Sequence, residues 1–439
     1  MVSKCCFIVA LGHLCDCIVL EKGPDFVLHD FPIYTMSTFS LSNAHALCCY
    51  RCPTQNSNFM ICSDVSVITS PTQPTKGDTL TLDWTSDDIV TAGFSASKGI
   101  LCFQDTSNSS YGKCAALGVS GGVISSGPKS TVNFGSTGAV AVTTLSETEA
   151  VLCYRGGDAL SCNQLTVVDM ALTIGDDLAL NLERPLEVST AKITDTKLIL
   201  CWRGASTSIA GKCLVLVLDG DSTNQGPPLE VSSGILGSTS WHASTFALSS
   251  KTVAICYQDM VQVNSSSPVP TAKCNALRVK GTVLEKGDDL VLRDGSTVLG
   301  ATEFSTARLS DVLGVVCYLG GLVAHYTTCN TLNLYGNTLA KGPDIVVHDN
   351  GAVSMSTSPL SDTSVMVCYR SSPESGEKGF CNVLVAQVPE TTTWFPPETT
   401  SNPSMSAKGT TNGINSGRST AAYVLVVLVW ASAHSLVAP

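Results

Sequence analysis

Charged and aromatic residues are scarce in this chain of 439 residues, at 14% and 6% respectively. A typical soluble domain is about a quarter charged, and the chain has no long charged stretch of the kind that forms exposed helices. The formal net charge is −11, and Lys and Arg are not clustered. Because phosphate binding needs clustered basic side chains, the composition argues against nucleic acid as a partner.

Common motifs of catalytic and metal sites are also missing from the sequence. It contains no HExxH pattern, no paired CxxC motifs at zinc spacing, no Gly-x-Ser-x-Gly run that forms a nucleophile elbow and no glycine-rich phosphate loop after a strand. The run from Asp219 to Asn224 resembles half a calcium loop but lacks its later Glu. We therefore predict no metal, no cofactor and no catalytic residue, and the chain leans away from being an enzyme.

Cysteine, in contrast, is abundant, with twenty residues. Seven times a cysteine in an apolar run is followed within 9 to 18 residues by a second one, and the first members recur every 48 to 61 residues. In a secreted chain such pairs predict disulfides. The predicted bonds are Cys49–Cys62, Cys102–Cys114, Cys153–Cys162, Cys201–Cys213, Cys256–Cys274, Cys317–Cys329 and Cys368–Cys381.

A period of about 50 residues with strand-like content predicts a propeller or array. Residues 287–336 show one repeat, in which four apolar segments are separated by turns that contain Gly, Asp or Ser, as in an antiparallel sheet. The predicted fold class is all-β, a seven-bladed β-propeller of four-stranded antiparallel blades over residues 18–389. The N-terminal strand, at 25–30, has no counterpart after the last repeat, so we expect it to pair with the last blade and close the ring.

Several polar residues recur with the repeat and are therefore interpreted as structural. The acid pairs at 87–88, 176–177 and 288–289 are read as turn residues, and His29 and His348 occupy equivalent positions. Arg or Gln after a buried strand could form a ring for an anionic ligand, although salt bridges within the blades are the simpler interpretation. Cys48 and Cys52 do not belong to the seven pairs. They could form a disulfide with each other, or with Cys15 or Cys17.

Residues 1–17 have the plan of a signal peptide, because Lys4 is followed by an apolar stretch. The alternative is an extra strand, since residues 6–11 align with residues 274–279. Residues 390–420 are rich in Thr, Ser, Pro and Gly, a composition that predicts an extended stalk with acceptor residues for O-glycosylation.

Residues 421–439 form a hydrophobic tail, preceded by small residues. This order predicts a GPI signal, with lipid attachment at Asn415 or alternatively at Gly409. The competing hypothesis is a single transmembrane helix, which needs about 20 apolar residues and usually a basic residue on its cytoplasmic side. The tail has a shorter uninterrupted run and no basic residue after it.

Both ends thus predict a protein of the cell surface, on the extracellular face of the plasma membrane, held by a lipid anchor or a C-terminal helix. Two Asn-x-Ser sequons fit this location, at Asn108 and Asn264, and each lies between the two cysteines of a pair.

The repeat, with its Ser-rich strand, its Val-Cys-Tyr-Arg segment at 367–370 and the run from Tyr111 to Gly121, resembles a tandem repeat of surface or secreted propellers of bacteria and protists. The resemblance covers about residues 18–388 and implies a propeller outside the cell with no defined reaction. The cysteine pairs depart from that pattern, which has small apolar residues there.

Two functions follow as hypotheses. The first is a GPI-anchored surface propeller that acts as a binding, adhesion or coat module, with a glycan or a protein as its ligand. The second is a surface or secreted hydrolase on a propeller scaffold. Propellers host both functions, so the fold does not choose between them. The lack of a unique acid–base cluster in the sequence favours binding.

Overall fold

The structure, a computed structural model, describes residues 18–53, 58–67, 73–180, 182, 184–204, 210–220, 222–232, 242–261, 269–293, 302–320 and 326–387. The chain divides into the units Met1–Pro389 and Glu390–Pro439, and all described residues lie in the first. The predicted signal peptide, Asn264, the stalk, the tail and both candidate lipid sites lie outside the described residues. In the described ranges, no helix is long and apolar enough to cross a membrane.

The described chain is all-β, with a single 3-10 turn at Pro373–Ser375. We number the repeats 1 to 7 by their cysteine pairs. The strands before and in repeat 1 are β1 Val19–Lys22, β2 Phe26–His29, β3 Met36–Ser42, β4 His45–Pro53, β5 Asn58–Ser66 and β6 Thr75–Leu82. Repeats 2 and 3 hold β7 Ser86–Ser95, β8 Lys98–Asp105, β9 Tyr111–Ser120, β10 Val123–Ser126, β11 Ser130–Thr144, β12 Glu149–Gly156, β13 Ala159–Val168 and β14 Ala171–Ala179.

Repeat 4 consists of β15 Pro185–Thr194, β16 Lys197–Gly204, β17 Gly211–Asp219, β18 Ser222–Gln225 and β19 Leu229–Ser232. Repeat 5 consists of β20 Ala243–Ser249, β21 Thr252–Val261, β22 Val269–Lys280, β23 Val283–Lys286 and β24 Leu290–Arg293. Repeat 6 consists of β25 Thr302–Arg308, β26 Leu313–Gly320, β27 Tyr326–Tyr335, β28 Thr338–Lys341 and β29 Ile345–His348. Repeat 7 adds β30 Ala352–Pro359, β31 Ser364–Ser371 and β32 Gly379–Gln387.

The strands form several small antiparallel sheets, in which the first three strands of a repeat pair in chain order. Repeats 2 and 3 share one eight-stranded sheet, because the long strand β11 pairs with β9 through its first half and with β12 through its second. The second strand of each repeat is buried on both faces, and in β26 every residue is buried. The unbroken apolar runs of the sequence predict this burial, because a strand that is covered on both sides does not alternate.

The fourth strand of the repeat differs from the predicted single strand. In repeat 6 it consists of two short strands, β28 and β29, which both pair with β27. Gly342 and Pro343 lie between them. Proline cannot donate to the ladder, so the outer strand is interrupted there and resumes after the turn.

The N-terminal strands complete the sheet of repeat 7. Both β1 and β2 pair with β32, in the same way as β28 and β29 pair with β27. Asp25 accepts hydrogen bonds from the Tyr369 hydroxyl at 3.0 Å and from the Asn382 amide at 2.7 Å. Asp344 accepts the equivalent bond from Asn330 at 2.7 Å within repeat 6. A residue from the start of the chain thus occupies the position that repeats 5 and 6 fill with an Asp of their own outer strand.

The structure joins the seven predicted cysteine pairs as disulfides, each between directly opposite residues of the second and third strands of a repeat, with Cα atoms 4.0 to 4.1 Å apart. Cys48 and Cys52 are free and buried. Both lie on β4, where four residues of extended chain separate their Cα atoms by about 13 Å. A disulfide needs less than about 7 Å, so Cys48 and Cys52 do not pair with each other.

The first strands of the repeats contact one another in chain order, from β3 through β7, β11, β15, β20 and β25 to β30, and β30 contacts β3. A hydroxyl pair joins five of these seven junctions, with oxygen–oxygen distances of 2.7 to 2.9 Å. In each pair a Ser of one repeat meets a Thr of the next: Ser37–Thr91, Ser189–Thr245, Ser244–Thr306, Ser305–Thr357 and Ser356–Thr38. At four of them the Ser oxygen also accepts the Thr backbone N–H.

This Ser–Thr link is interrupted around repeat 3, where Ala141 and Val142 replace Ser and Thr. The Thr190 hydroxyl of repeat 4, which would be the partner of a serine at position 141, is buried and has no hydrogen-bond partner. At the junction of repeats 2 and 3 the shared strand β11 supplies main-chain pairing instead. The junction of repeats 3 and 4 has neither link.

We predict that Ala141→Ser stabilises the protein by about 1 kcal/mol, because the new hydroxyl would satisfy the buried Thr190. Ser305→Ala should cost about 1 to 2 kcal/mol, because it removes the acceptor of the Thr357 N–H. The measurement is the free energy of unfolding of each variant in a denaturant titration. Equal stability of the wild type and both variants would show that the link does not contribute.

Candidate functional site

The first strands of all repeats begin at the same end, and the residue two positions before the Ser–Thr dipeptide lies there. Strand register supports the equivalence, because the residue that follows pairs with a buried aromatic in Val188–Trp202, Ala243–Tyr257 and Phe304–Tyr318. We call these seven positions the rim residues. They are Thr35, Asp88, Ala139, Glu187, His242, Glu303 and Ser354.

Three consecutive rim residues form an acid–base cluster, Glu187, His242 and Glu303. His242 Nδ1 lies 3.2 Å from Glu187 Oε1, and the two side chains are 33% and 30% exposed, so solvent reaches this pair. Burial disfavours the protonated imidazole, but the hydrogen bond and charge of Glu187 outweigh it and raise the pKa of His242. A carboxylate that holds Nδ1–H orients the ring and leaves Nε2 as the outward-facing nitrogen.

The carboxyl of Glu303 has a strongly raised pKa. Burial raises its pKa from the usual 4.5 to about 7, while the charges of His242 and Arg370 and the Met355 N–H oppose this rise. Its backbone φ of 46° places it at a bulge between β25 and β26. The carboxyl is therefore partly protonated at neutral pH, and it can donate a proton or a hydrogen bond beside the imidazole of His242.

The arginines of the proposed anion ring are engaged in contacts between neighbouring repeats. Arg51 binds the carboxylate of Asp87 and also donates to the Ser86 carbonyl at 3.0 Å. Arg370 donates to the Ile33 carbonyl at 3.1 Å. The Tyr34 ring lies within 4.6 Å of one guanidinium and 5.1 Å of the other. These contacts favour a structural role for both arginines, but they join neighbouring repeats, whereas the simpler interpretation expected salt bridges within the blades.

The opposite end of the first strands surrounds a cavity of about 610 Å³, to which all seven repeats contribute. Its wall carries many hydroxyls, including those of Thr91, Thr143 and Thr306. The wall also carries three charged residues, Lys192, Arg308 and Asp311. Two of them, Arg308 and Asp311, form an ion pair with each other. This end is polar but offers no acid–base cluster.

The remaining sequence-predicted residues are placed as follows. Asn108 lies in an exposed turn between β8 and β9, where a glycan has room. Asp289 binds Lys286 at 2.8 Å and Asn275 at 2.8 Å, which holds its pKa at about 2 against burial and matches a structural role. His348 packs against Tyr369, with ring centroids 4.8 Å apart. Asp221 of the half calcium loop is outside the described residues.

Sequence reasoning missed the acid–base cluster. The signal was present, because alignment of the repeats on Ser–Thr places Glu187, His242 and Glu303 at one position that is Thr, Ala or Ser in three other repeats. Three exposed aromatics belong to the same end of the strands, by chain direction: Phe31 before β3, Phe134 in β11 and Tyr326 at the start of β27. They are 68%, 74% and 37% exposed.

No family model matches the chain, and no curated protein matches it in sequence. Among solved structures, a PL25 polysaccharide lyase, an ulvan lyase bound to -[GlcA(1-4)Rha3S]-, has a TM-score of 0.51 at 11% identity, covering 82% of this chain and 95% of the lyase. A protein of unknown function from Dyadobacter fermentans has a TM-score of 0.45 at 11% identity, covering 84% and 99%. The N-terminal domain of Nup159 has a TM-score of 0.43 at 7% identity, covering 85% and 97%. At 11% identity, the likeness to the lyase bears on fold alone.

We predict that the protein is more stable at pH 5.5 than at pH 8. The folded-state pKa values of Glu303 and His242 lie above their unfolded values, so their stabilising contribution is full below the unfolded pKa and is lost as the pH rises through the folded one. Between pH 8 and pH 5.5 Glu303 contributes at most about 2 kcal/mol, because only the part of its raised pKa that lies above pH 5.5 counts, at about 1.36 kcal/mol per pH unit. Unfolding titrations at both pH values measure the difference, which Glu303→Gln should largely remove. A pH dependence that survives this substitution unchanged would contradict the assignment.

Proposed function

We propose that the chain is an extracellular, seven-bladed propeller that is closed by its N-terminal strand, held to the cell surface by a GPI anchor, and binds a carbohydrate at the rim. The closed arrangement is supported by the contact of β30 with β3 and by the pairing of β1 and β2 with β32. Such closure leaves only short sheet edges, which limits aggregation through strand pairing.

The compartment of the proposal rests on the cysteines. Seven disulfides indicate a secreted or extracellular protein, because cytosolic thiols are kept reduced. The exposed Asn108 sequon is compatible with the same route. The order of stalk, small residues and hydrophobic tail favours a GPI anchor over a transmembrane helix.

Phosphatidylinositol-specific phospholipase C should release the protein from intact cells into the medium, because it cleaves a lipid anchor and not a peptide helix. The readout is the fraction of protein in the supernatant, with a transmembrane surface protein as control. Retention on the cells, together with an uncleaved tail in the mass spectrum, would establish the transmembrane alternative. If the wild type is released, Asn415→Gln and Gly409→Val are tested in the same way. The substitution that abolishes lipid anchoring, and with it the phospholipase-dependent release, identifies the attachment site.

The binding site of the proposal is the rim, and one observation carries it: the repeats are alike in their cores but differ at the rim residues. Glu187 and His242 are partly exposed there and supply an acceptor and a donor for sugar hydroxyls. The exposed rings of Phe31, Phe134 and Tyr326 offer apolar faces at the same end. An irregular polar set on a regular scaffold fits recognition of one ligand rather than a structural repeat.

A second function, the surface hydrolase, is favoured by the acid–base cluster. Glu303, partly protonated at neutral pH, fits a general acid, and His242 oriented by Glu187 fits a general base. One set of variants distinguishes the two functions. A binding protein needs the rim residues to hold the ligand and shows no turnover. A hydrolase also needs the acid–base cluster to cleave a bond of the ligand after it has bound.

We expect the phospholipase-released protein to bind on a glycan array, and His242→Gln to weaken that binding at least tenfold. Ser354→Ala changes the equivalent residue of repeat 7 and serves as the matched control, which should bind like the wild type. The same variants are tested against glycosidase and esterase substrates. Turnover that Glu303→Gln lowers at least a hundredfold while binding persists would establish the hydrolase. If neither binding nor turnover is observed, a structural coat protein is the remaining interpretation.

A further inference from the structure

A third sulfur lies beside the disulfide of repeat 7. The Sγ atoms of Cys48, Cys368 and Cys381 lie within 4.8 Å of one another, and all three residues are buried. Cys368 and Cys381 are bonded to each other, whereas Cys48 is a free thiol of repeat 1. These residues share one core cluster with Leu28. The cluster therefore spans the junction between the first and the last repeat.

The position of Cys48 is unusual within the repeat. The residue before the first cysteine of a pair is aliphatic in the other six repeats: Leu101, Leu152, Leu200, Ile255, Val316 and Val367. Repeat 1 alone has a thiol there, and its neighbour across the junction is repeat 7. In the proposed ring this is the junction that joins the two ends of the propeller, where the chain itself provides continuity only through the N-terminal strands.

We propose that Cys48 exchanges with the Cys368–Cys381 disulfide and thereby joins repeats 1 and 7 covalently. The Cys48 thiolate attacks one sulfur of that bond, a Cys48–Cys368 or Cys48–Cys381 disulfide forms, and the other cysteine leaves as a thiolate that takes up a proton. One disulfide breaks and one forms, so the step needs no oxidant or reductant. The sulfurs lie within about 3 Å of bonding distance.

Burial controls the rate of this exchange. It raises the pKa of Cys48, with Lys76 opposing weakly, so the packed junction holds the unreactive thiol. Opening of the junction exposes the thiol and permits attack. Exchange therefore occurs when the first and last repeats begin to separate, and it joins them by a bond at that moment. No other junction between described repeats has a free cysteine beside a disulfide.

The test is a disulfide map of the full-length protein, purified from a secretory host, incubated at pH 9 below its unfolding temperature, then denatured and alkylated in acid. Trypsin leaves Cys48 and Cys49 on the peptide 23–51. Without exchange, this peptide is bonded only to 52–76, and 342–370 is bonded to 379–408. Exchange creates a three-peptide species that contains 23–51, 52–76 and one of the repeat 7 peptides.

We expect this three-peptide species to increase at least fivefold at pH 9 over a sample kept at pH 5. Cys48→Ser should abolish it, and Cys52→Ser, a matched change on the same strand, should preserve it. The proposal fails if the species is absent at both pH values and Cys48 is recovered fully alkylated beside an intact Cys368–Cys381 bond. It also fails if the species forms equally in Cys48→Ser, because the exchange would then involve another cysteine.

Discussion

The arrangement of the repeats depends on the contact between the first strands of neighbouring sheets. Each of these strands except β11 is the edge of its own sheet, so its N–H groups have no further strand to pair with. A serine of the preceding repeat supplies the acceptor, as Ser305 does for the Thr357 N–H, and the two hydroxyls bond to each other as well. The bond is weak in itself, at about 1 kcal/mol. Its repetition keeps the strands in register and brings the rim residues to one end.

Disulfides and Ser–Thr links act at different levels of the structure. A disulfide such as Cys317–Cys329 joins two strands that already pair within one sheet, and it closes a short loop. It therefore restrains the unfolded chain and secures the repeat, by roughly 3 kcal/mol in the entropic account, but it does not connect one repeat to the next. The links between repeats are hydroxyl bonds and packing, as at Gly314, where any side chain would collide with Phe246 of the preceding repeat. The stability of each sheet is thus largely local, whereas the arrangement of the sheets is cooperative.

Periodic features were predictable from the sequence, and features that depend on one residue were not. The period of the cysteines indicates the repeats, the disulfides and the leftover N-terminal strand, because each rests on a pattern that occurs seven times. The interruption of the outer strand at Gly342–Pro343 and the sharing of β11 by two sheets depend on local backbone chemistry within single segments. The proximity of Cys48 to Cys368, which are 320 positions apart in the sequence, follows from the order of the sheets in space. The cluster of Glu187, His242 and Glu303 was within reach of an alignment of the repeats on Ser–Thr.

Departures from the repeat are where this chain carries information about function. Residues that recur, such as Asp289 and Asp344, are explained by the sheets they stabilise. Residues that do not recur need another explanation, because a repeat with Thr, Ala or Ser at the rim has the same fold. Glu303 is partly buried, and this burial raises its pKa to about 7, which costs stability above neutral pH. A scaffold of equivalent sheets gains nothing structural from that cost, and for this reason the proposed ligand site is placed at the rim.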